Sequence, residues 1–461
     1  MKKILYILVL IVGVCTSCKE YLDVKPKGQT IPETPEEFSA MLQYHLDRID
    51  YEDVGDYEIM GDAVTVLYYE FFSDNLDASL TFYPEGKSSP VYIGSKINTF
   101  QDKYEDLYKV IGDCNIIIDN MKEKDTELGK KVLATAYALR GVCYYNLLRL
   151  FCEPYDKTKE TEMLGLSVVE RFDVEARPVR NNMKETVAFI EKTLKDAIAF
   201  HQTDKVFRFT EDVAKAYLAK LYFWTQNWDQ AIAVSEEILE KYPLLEGAAY
   251  KDMIEARYDQ KGSVILKSYV YGPRGDWSYG LSVAEAKVRP VSEELVNLFV
   301  EKEKDARYTL SFDKKRLNVK RICSCVRSDE MCLIMAESYA HKSDVANALK
   351  YLNLLRSKRI TDYVPYTEST LPAVDATTLI KVDATGKTLT PLISAILNER
   401  RKELYMEADR WFELKRNGRP EFWVAADGRK YETLKYFYTA PLPKEDVDYG
   451  AGIIQNEGYT E

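Results

Sequence analysis

Glu399, Glu403 and Glu407 recur at every fourth position near the C-terminus. On a helix, that spacing sets three carboxylates on one face. Paired carboxylates can hydrolyse glycosidic bonds, one as acid and the other as base or nucleophile. Such pairs converge across a substrate from different elements, whereas these three run along a single surface. Arg400, Arg401, Arg410 and Arg416 share the segment, and Leu397, Leu404, Ala408, Trp411 and Phe412 supply an apolar stripe. The expectation is a structural ion-pair network that docks the last helix. Other chemistries lack raw material. The sequence has no Gly-x-Ser-x-Gly elbow and no phosphate-cradling glycine loop. Its three histidines, His45, His201 and His341, are scattered, and none lies near Cys323-Ser-Cys325. Neither a catalytic triad nor a metal site nor a cofactor is expected.

The positive signal is aromatic. The chain of 461 residues holds 34 tyrosines, and 12% of it is Phe, Tyr or Trp. Flat rings stack on the C–H faces of sugars, and a tyrosine hydroxyl adds a hydrogen bond at little entropic cost. Candidates for such contacts must lie off the helix stripes. Tyr271-Gly-Pro-Arg-Gly-Asp-Trp-Ser-Tyr279-Gly reads as a loop held by glycine and proline. Trp277 and Tyr279 are its candidate stacking residues, and Arg274 and Asp276 could bond polar ligand groups. Tyr83 and Tyr92 are second candidates. Asp74 and Asn75 are expected to cap a turn.

These residues need a scaffold, and the scaffold reads as paired helices. Phe100–Met121 places Leu107, Val110, Ile111, Ile117 and Ile118 at helical spacing, and Lys131–Phe151 does the same with Leu133, Ala136, Leu139 and Leu147. Helix pairs are expected at about 100–151, 183–241 and 329–358. A last long helix is expected at about 391–416, stopped by Asn417-Gly418 and Pro420. Leu218-Ala219-x-x-Tyr222, then Ala231 and Pro243, has tetratricopeptide spacing, and Met335-Ala336-x-x-Tyr339 with Ala348 repeats it. Lys215 and Ser235 depart from that pattern, standing where an early Trp and a large apolar residue are usual. The stretches 50–90, 264–290 and 361–389 mix glycine, proline, aromatics and short β-prone runs. Val264–Tyr271 reads as a strand, and Tyr431–Leu442 as a further extended piece. The fold class is thus mainly α: a right-handed superhelix of tetratricopeptide-like helix pairs carrying an irregular, aromatic-rich lobe.

The N-terminus addresses the chain. Lys2 and Lys3 precede an uncharged apolar run, Ile4–Val14, too short to span a bilayer, followed by Cys15-Thr-Ser-Cys18. This reads as a lipoprotein signal over 1–17, with Cys18 as the acylated residue and 18–461 as the mature chain. Removing 1–17, which carries two lysines, leaves 61 basic against 74 acidic residues, a net of −13. An acidic body without basic runs argues against a nucleic-acid partner. Six further cysteines remain: Cys114, Cys143, Cys152, Cys323, Cys325 and Cys332. Export permits disulfides, but their pairing cannot be read. Cys114 and Cys143 fall on apolar helix faces as small core residues.

Four segments together resemble the SusD/RagB family of outer-membrane lipoproteins. They are Cys18-Lys-Glu-Tyr-Leu-Asp-Val-Lys-Pro-Lys-Gly28; Leu107–Asn115 with Ala138–Phe151; Asn398–Gly418; and the tail Ala440-Pro-Leu-Pro-Lys-Glu with Gln455-Asn-Glu-Gly-Tyr459. Two departures stand out: Cys152 where glycine is usual, and Ala408-Asp409 for a common Gly-His. The resemblance implies a lipid-anchored protein on the outer face of the outer membrane. It implies capture of an oligosaccharide, or of peptides in the RagB branch, for a TonB-dependent SusC-like transporter. A tetratricopeptide adaptor that binds only protein is the remaining alternative.

Overall fold

A computed structural model describes residues 32–50, 59–61, 63–80, 91–173, 175–256, 260–268, 276–426, 429–450 and 452–459. Cys18, Tyr83 and Arg274 lie outside them. The chain is mainly α. Its principal helices are α1 (Pro35–Asp50), α2 (Ala63–Phe72), α3 (Phe100–Asn120), α4 (Glu127–Phe151), α5 (Met183–Ile198), α6 (Glu211–Trp224) and α7 (Trp228–Lys241). They continue with α8 (Asp276–Ala286), α9 (Ser328–His341), α10 (Val345–Arg359), α11 (Pro391–Glu403) and α12 (Arg410–Arg416). Two antiparallel ribbons complete the set: β1 (Val264–Lys267) with β2 (Cys325–Arg327), and β3 (Phe422–Ala426) with β4 (Arg429–Thr433).

Local signals start these helices. Thr126 Oγ1 accepts from Gly129 N at 3.0 Å, Thr210 caps α6, and Asn182 forms a capping box with Glu185. Thr390 caps α11, with Pro391 at its first position. From α3 to α7 each helix packs on the next, and the stack continues from α7 through α9 to α10 and α11. The small residues allow this approach. Ala219, Ala231, Ala336 and Ala348 are all fully buried. Both departures from the repeat pattern have a structural use. Lys215 bridges Glu211 at 3.0 Å and Glu237 at 2.9 Å, tying α6 to α7. Ser235 is buried with Oγ 3.8 Å from Met331 Sδ, so its small side chain admits α9. Cys114, Cys143 and Cys152 are buried in this core, and burial pushes the Cys114 thiol up to about 12.

Beside the stack sits a second core. It is built from Val66, Leu67 and Phe71 of α2, with Leu76, Ala286, Val291, Leu295, Phe299, Phe312, Tyr405 and Met406. The 361–389 stretch contributes elsewhere: Ile380 and Leu389 join the main helical core, and Leu371 packs against the α9–α10 cluster. Among the described residues, no helix is long and apolar enough to cross a membrane.

The last helix is not continuous. The expected 391–416 helix ends at Glu403 and restarts at Arg410. Met406 (φ 59°) and Ala408 (φ 62°) take the left-handed region, which non-glycine residues rarely adopt. Long-range contacts hold the break. Lys320 Nζ donates to the carbonyls of Glu403 (3.1 Å) and Tyr405 (2.7 Å), and Arg327 Nη2 donates to Glu403 O (2.7 Å). Met406 N donates to Glu70 Oε1 at 3.0 Å. Helix-terminal carbonyls that a continuing helix would have used are thereby satisfied. The stop at Asn417-Gly418 falls where expected, with Gly418 at φ 95°.

Candidate functional site

The three carboxylates that could have been catalytic are locked in a buried salt-bridge network. Glu403 is fully buried and accepts from Arg327 Nη1 (2.6 Å), Arg359 Nε (2.9 Å), Arg307 Nη1 (3.2 Å) and Tyr250 OH (3.2 Å). Glu399 accepts from Arg307 (2.7 Å), Lys402 (2.7 Å) and Arg356 (2.9 Å). Glu407 pairs with Lys320 (2.7 Å) and Arg327 (3.1 Å). Asp305, Asp329 and Glu301 complete the network, so six carboxylates face six cations. Burial opposes ionisation of Glu403, but Arg359, Arg327 and Arg307 outweigh it and hold the carboxyl well below its usual range. A carboxylate saturated by guanidinium groups cannot give or take a substrate proton.

The network is structural, as expected, but its partners differ. The arginines that neighbour these glutamates in sequence serve other acids. Arg400 pairs with Glu330 (2.8 Å) and Asp409 (2.5 Å), and Arg416 with Glu337 (2.7 Å). Arg410 makes a two-pronged contact with Asp74 (2.7 and 2.8 Å). Arg401 donates to Asn75 Oδ1 (2.8 Å) and to the Asp74 carbonyl (2.7 Å). Asp74 and Asn75 are therefore anchors between the N-terminal lobe and the last helices, not simple turn caps. Burial works against Asp74 ionisation, yet Arg401 and Arg410 keep its carboxyl far below the usual range. Burial lowers Arg401 itself to about 10.

These anchors gather the aromatic segments. Leu76 bridges Val291, Asp77 N donates to Pro290 O (2.8 Å), and Ser292 N donates to Asn75 O (2.8 Å). Arg289, just past α8, donates to the Val91 carbonyl (2.7 Å) and lies 4.5 Å from the centre of the Phe71 ring. The ends of α2 and α8 and the segment at Tyr92 thus share one region. Asp276, Trp277 and Tyr279 correct the loop expectation: their backbone forms the first turns of α8, which packs on α2. Tyr92 is half-buried, and its ring centre is 4.4 Å from that of Tyr431 on β4.

That contact brings in a hairpin the sequence reading missed. Trp423 pairs with Glu432 and Val424 with Tyr431 across β3–β4. Successive strand residues point to opposite faces. Tyr92 therefore covers one face of the ribbon and Trp423 stands on the other, 59% exposed. The signal was present: Asp427-Gly428 between two β-prone runs is a hairpin signature. Expected extension over Tyr431–Leu442 holds only to Thr433, after which Lys435–Tyr438 is a 3₁₀ turn.

Trp423 lines a groove of about 480 Å³. The other walls are Asp74–Ser79, the start of the Ser292–Leu298 segment and Asp375–Leu379, with Ser394, Asn398 and Arg401 of α11 also lining it. Two of its loops are fixed by Asx turns. Asp77 Oδ1 accepts from Ser79 N (3.0 Å) and Oγ (2.5 Å), and Asp375 Oδ1 accepts from Thr377 N (2.8 Å) and Oγ1 (2.7 Å). The groove thus offers hydroxyls, an amide and an indole face, a combination suited to a polyhydroxylated ligand.

Comparison with known proteins agrees with this architecture. A SusD-like family described as "Starch-binding associating with outer membrane" matches residues 20–223, and the SusD family matches residues 323–459. A SusD-like protein of Formosa agariphila is 21% identical over 267 residues; the match takes in 56% of this chain but only 50% of that one. A SusD superfamily crystal structure from Bacteroides thetaiotaomicron superposes with a TM-score of 0.67 at 19% identity, over 92% of this chain and 99% of that one. A laminarin-binding SusD-like protein superposes with a TM-score of 0.60 at 17% identity, over 93% and 100%. Two family matches that flank the middle of the chain, on a shared fold, lead to one assignment: this chain belongs to the SusD/RagB family.

Proposed function

We propose that the chain is a non-catalytic, cell-surface lipoprotein that captures an oligosaccharide and delivers it to a TonB-dependent SusC-like transporter in the outer membrane. One observation carries the reading: the segments around Tyr92, Arg289 and Tyr431 meet in one region while Glu399 and Glu403 are locked in salt bridges. Family membership supports glycan capture, as does the structural neighbour described as laminarin-binding. The lipid anchor is Cys18. Trp277, Tyr279, Asp276 and Arg274, with Tyr83 and Tyr92, are the proposed ligand contacts.

The test is Trp277→Ala. Loss of a stacked tryptophan costs on the order of 2 kcal/mol, or roughly thirtyfold in affinity. Calorimetric titration with the best ligand of a glycan library should show that loss with the melting temperature unchanged. Unchanged affinity would move the contact elsewhere. A large drop in melting temperature would make Trp277 a packing residue.

A further inference from the structure

The Trp423 groove carries an inference about ligand class, and it rests on the glycan-capture reading. We propose that this groove is a binding subsite for an uncharged oligosaccharide and that it rejects uronate-rich and sulfated glycans. The platform is Trp423, 59% exposed on a paired strand and so held by five backbone pairings. An indole on a rigid ribbon is a good stacking surface for a sugar ring. Around it, Ser79, Thr377, Thr378, Ser394 and Asn398 offer neutral donors and acceptors.

Charge decides the class. Asp77, Glu294 and Asp375 also line the groove, the last two exposed. Arg401 is the one cation among its described lining residues, and it is committed to Asp74, Asn75 and Ser292. Lys430 lies 5.5 Å from the Trp423 ring centre, but its ammonium is paired with Glu432 at 2.6 Å. Among the described lining residues, a polyanionic chain entering here would meet Asp77, Glu294 and Asp375, besides the paired Asp74, and no spare guanidinium. Like charges brought together in a partly desolvated groove are strongly disfavoured. A basic peptide would meet no such repulsion. The hydroxyl and amide lining favours a sugar over it, because hydroxyls can bond sugar hydroxyls as both donor and acceptor.

The experiment titrates the full mature chain with laminarihexaose, maltohexaose, cellohexaose, xylohexaose and mannohexaose. The same titrations use hexagalacturonate, a heparin hexasaccharide and a Lys-rich hexapeptide. Trp423→Ala and the double variant Glu294→Gln/Asp375→Asn are run beside wild type, each checked by thermal melt. The inference expects at least one neutral hexasaccharide to bind and both acidic ones to bind at least tenfold more weakly. Trp423→Ala should weaken the neutral ligand by tenfold or more with an unchanged melt. The double variant should narrow the gap to the acidic sugars. Preferential binding of an acidic sugar overturns the charge argument but leaves glycan capture standing. A neutral ligand indifferent to Trp423→Ala overturns the subsite and also leaves glycan capture standing. Binding of the peptide alone, or of no probe, overturns both.

Discussion

Replacing Glu403 with Gln should be among the most damaging single substitutions in the chain, and it should damage folding rather than ligand chemistry. Glu403 is fully buried and faces Arg307, Arg327 and Arg359, with Tyr250 OH also donating to it. The substitution is nearly isosteric, so the cavity effect is small and the charge effect is isolated. It leaves six buried cations facing five carboxylates. Removing one partner of a buried ion pair costs about 3–5 kcal/mol, because the remaining charge is uncompensated. For a chain of this length, the unfolding entropy is roughly 1 kcal/mol per kelvin, so the melt should fall by about 3–5 °C. Scanning calorimetry and urea denaturation measure both quantities. A change under about 1 kcal/mol would refute the reasoning: the network would then be loosely coupled, and Glu403 would be free for another role.

Three further outcomes follow. Ala219 is fully buried on α6, so Ala219→Trp should overfill the helical contact and cost about 1–3 kcal/mol, seen as a lower denaturation midpoint. Burial opposes ionisation of Glu330, but Lys220 and Arg400 pull it from 4.5 to about 2. Its stabilisation is therefore complete above about pH 4.5 and lost as pH falls through about 2, a change of about 3 kcal/mol; acid denaturation of Glu330→Gln should be shallower by that amount, and identical profiles would contradict the pairing. Cys18→Ala should abolish incorporation of a palmitate analogue in growing cells, and persistent label would remove the anchor.

How far the sequence could be read depended on whether the decisive contacts were local. The stripe of Leu107, Val110, Ile111, Ile117 and Ile118 is periodic, and the helix Phe100–Asn120 buries all five. Caps and small residues at the helical crossings were equally local. The break after Glu403 was not legible, because Leu-Tyr-Met-Glu-Ala-Asp has good helix propensity and the contacts that interrupt it come from Lys320, Arg327 and Glu70. The same holds for the acidic run. Its helical face could be read, but its arginine partners lie on strands and helices 43 to 92 residues away in sequence. Trp277 seemed to be in a loop because Gly-Pro precedes it, yet Asp276 opens a helix that tertiary packing on α2 supports. The Trp423 hairpin was the avoidable miss, since Asp427-Gly428 announced it.

The central claim is capture without turnover. The most direct measurement is to incubate the purified mature chain with the tightest-binding neutral hexasaccharide, record saturable binding by calorimetry, and then recover the sugar and determine its length. The account predicts saturable heat and a ligand recovered intact as the hexasaccharide. Shortened products would contradict it by making the chain an enzyme, and the absence of any saturable glycan binding would contradict it by removing the ligand.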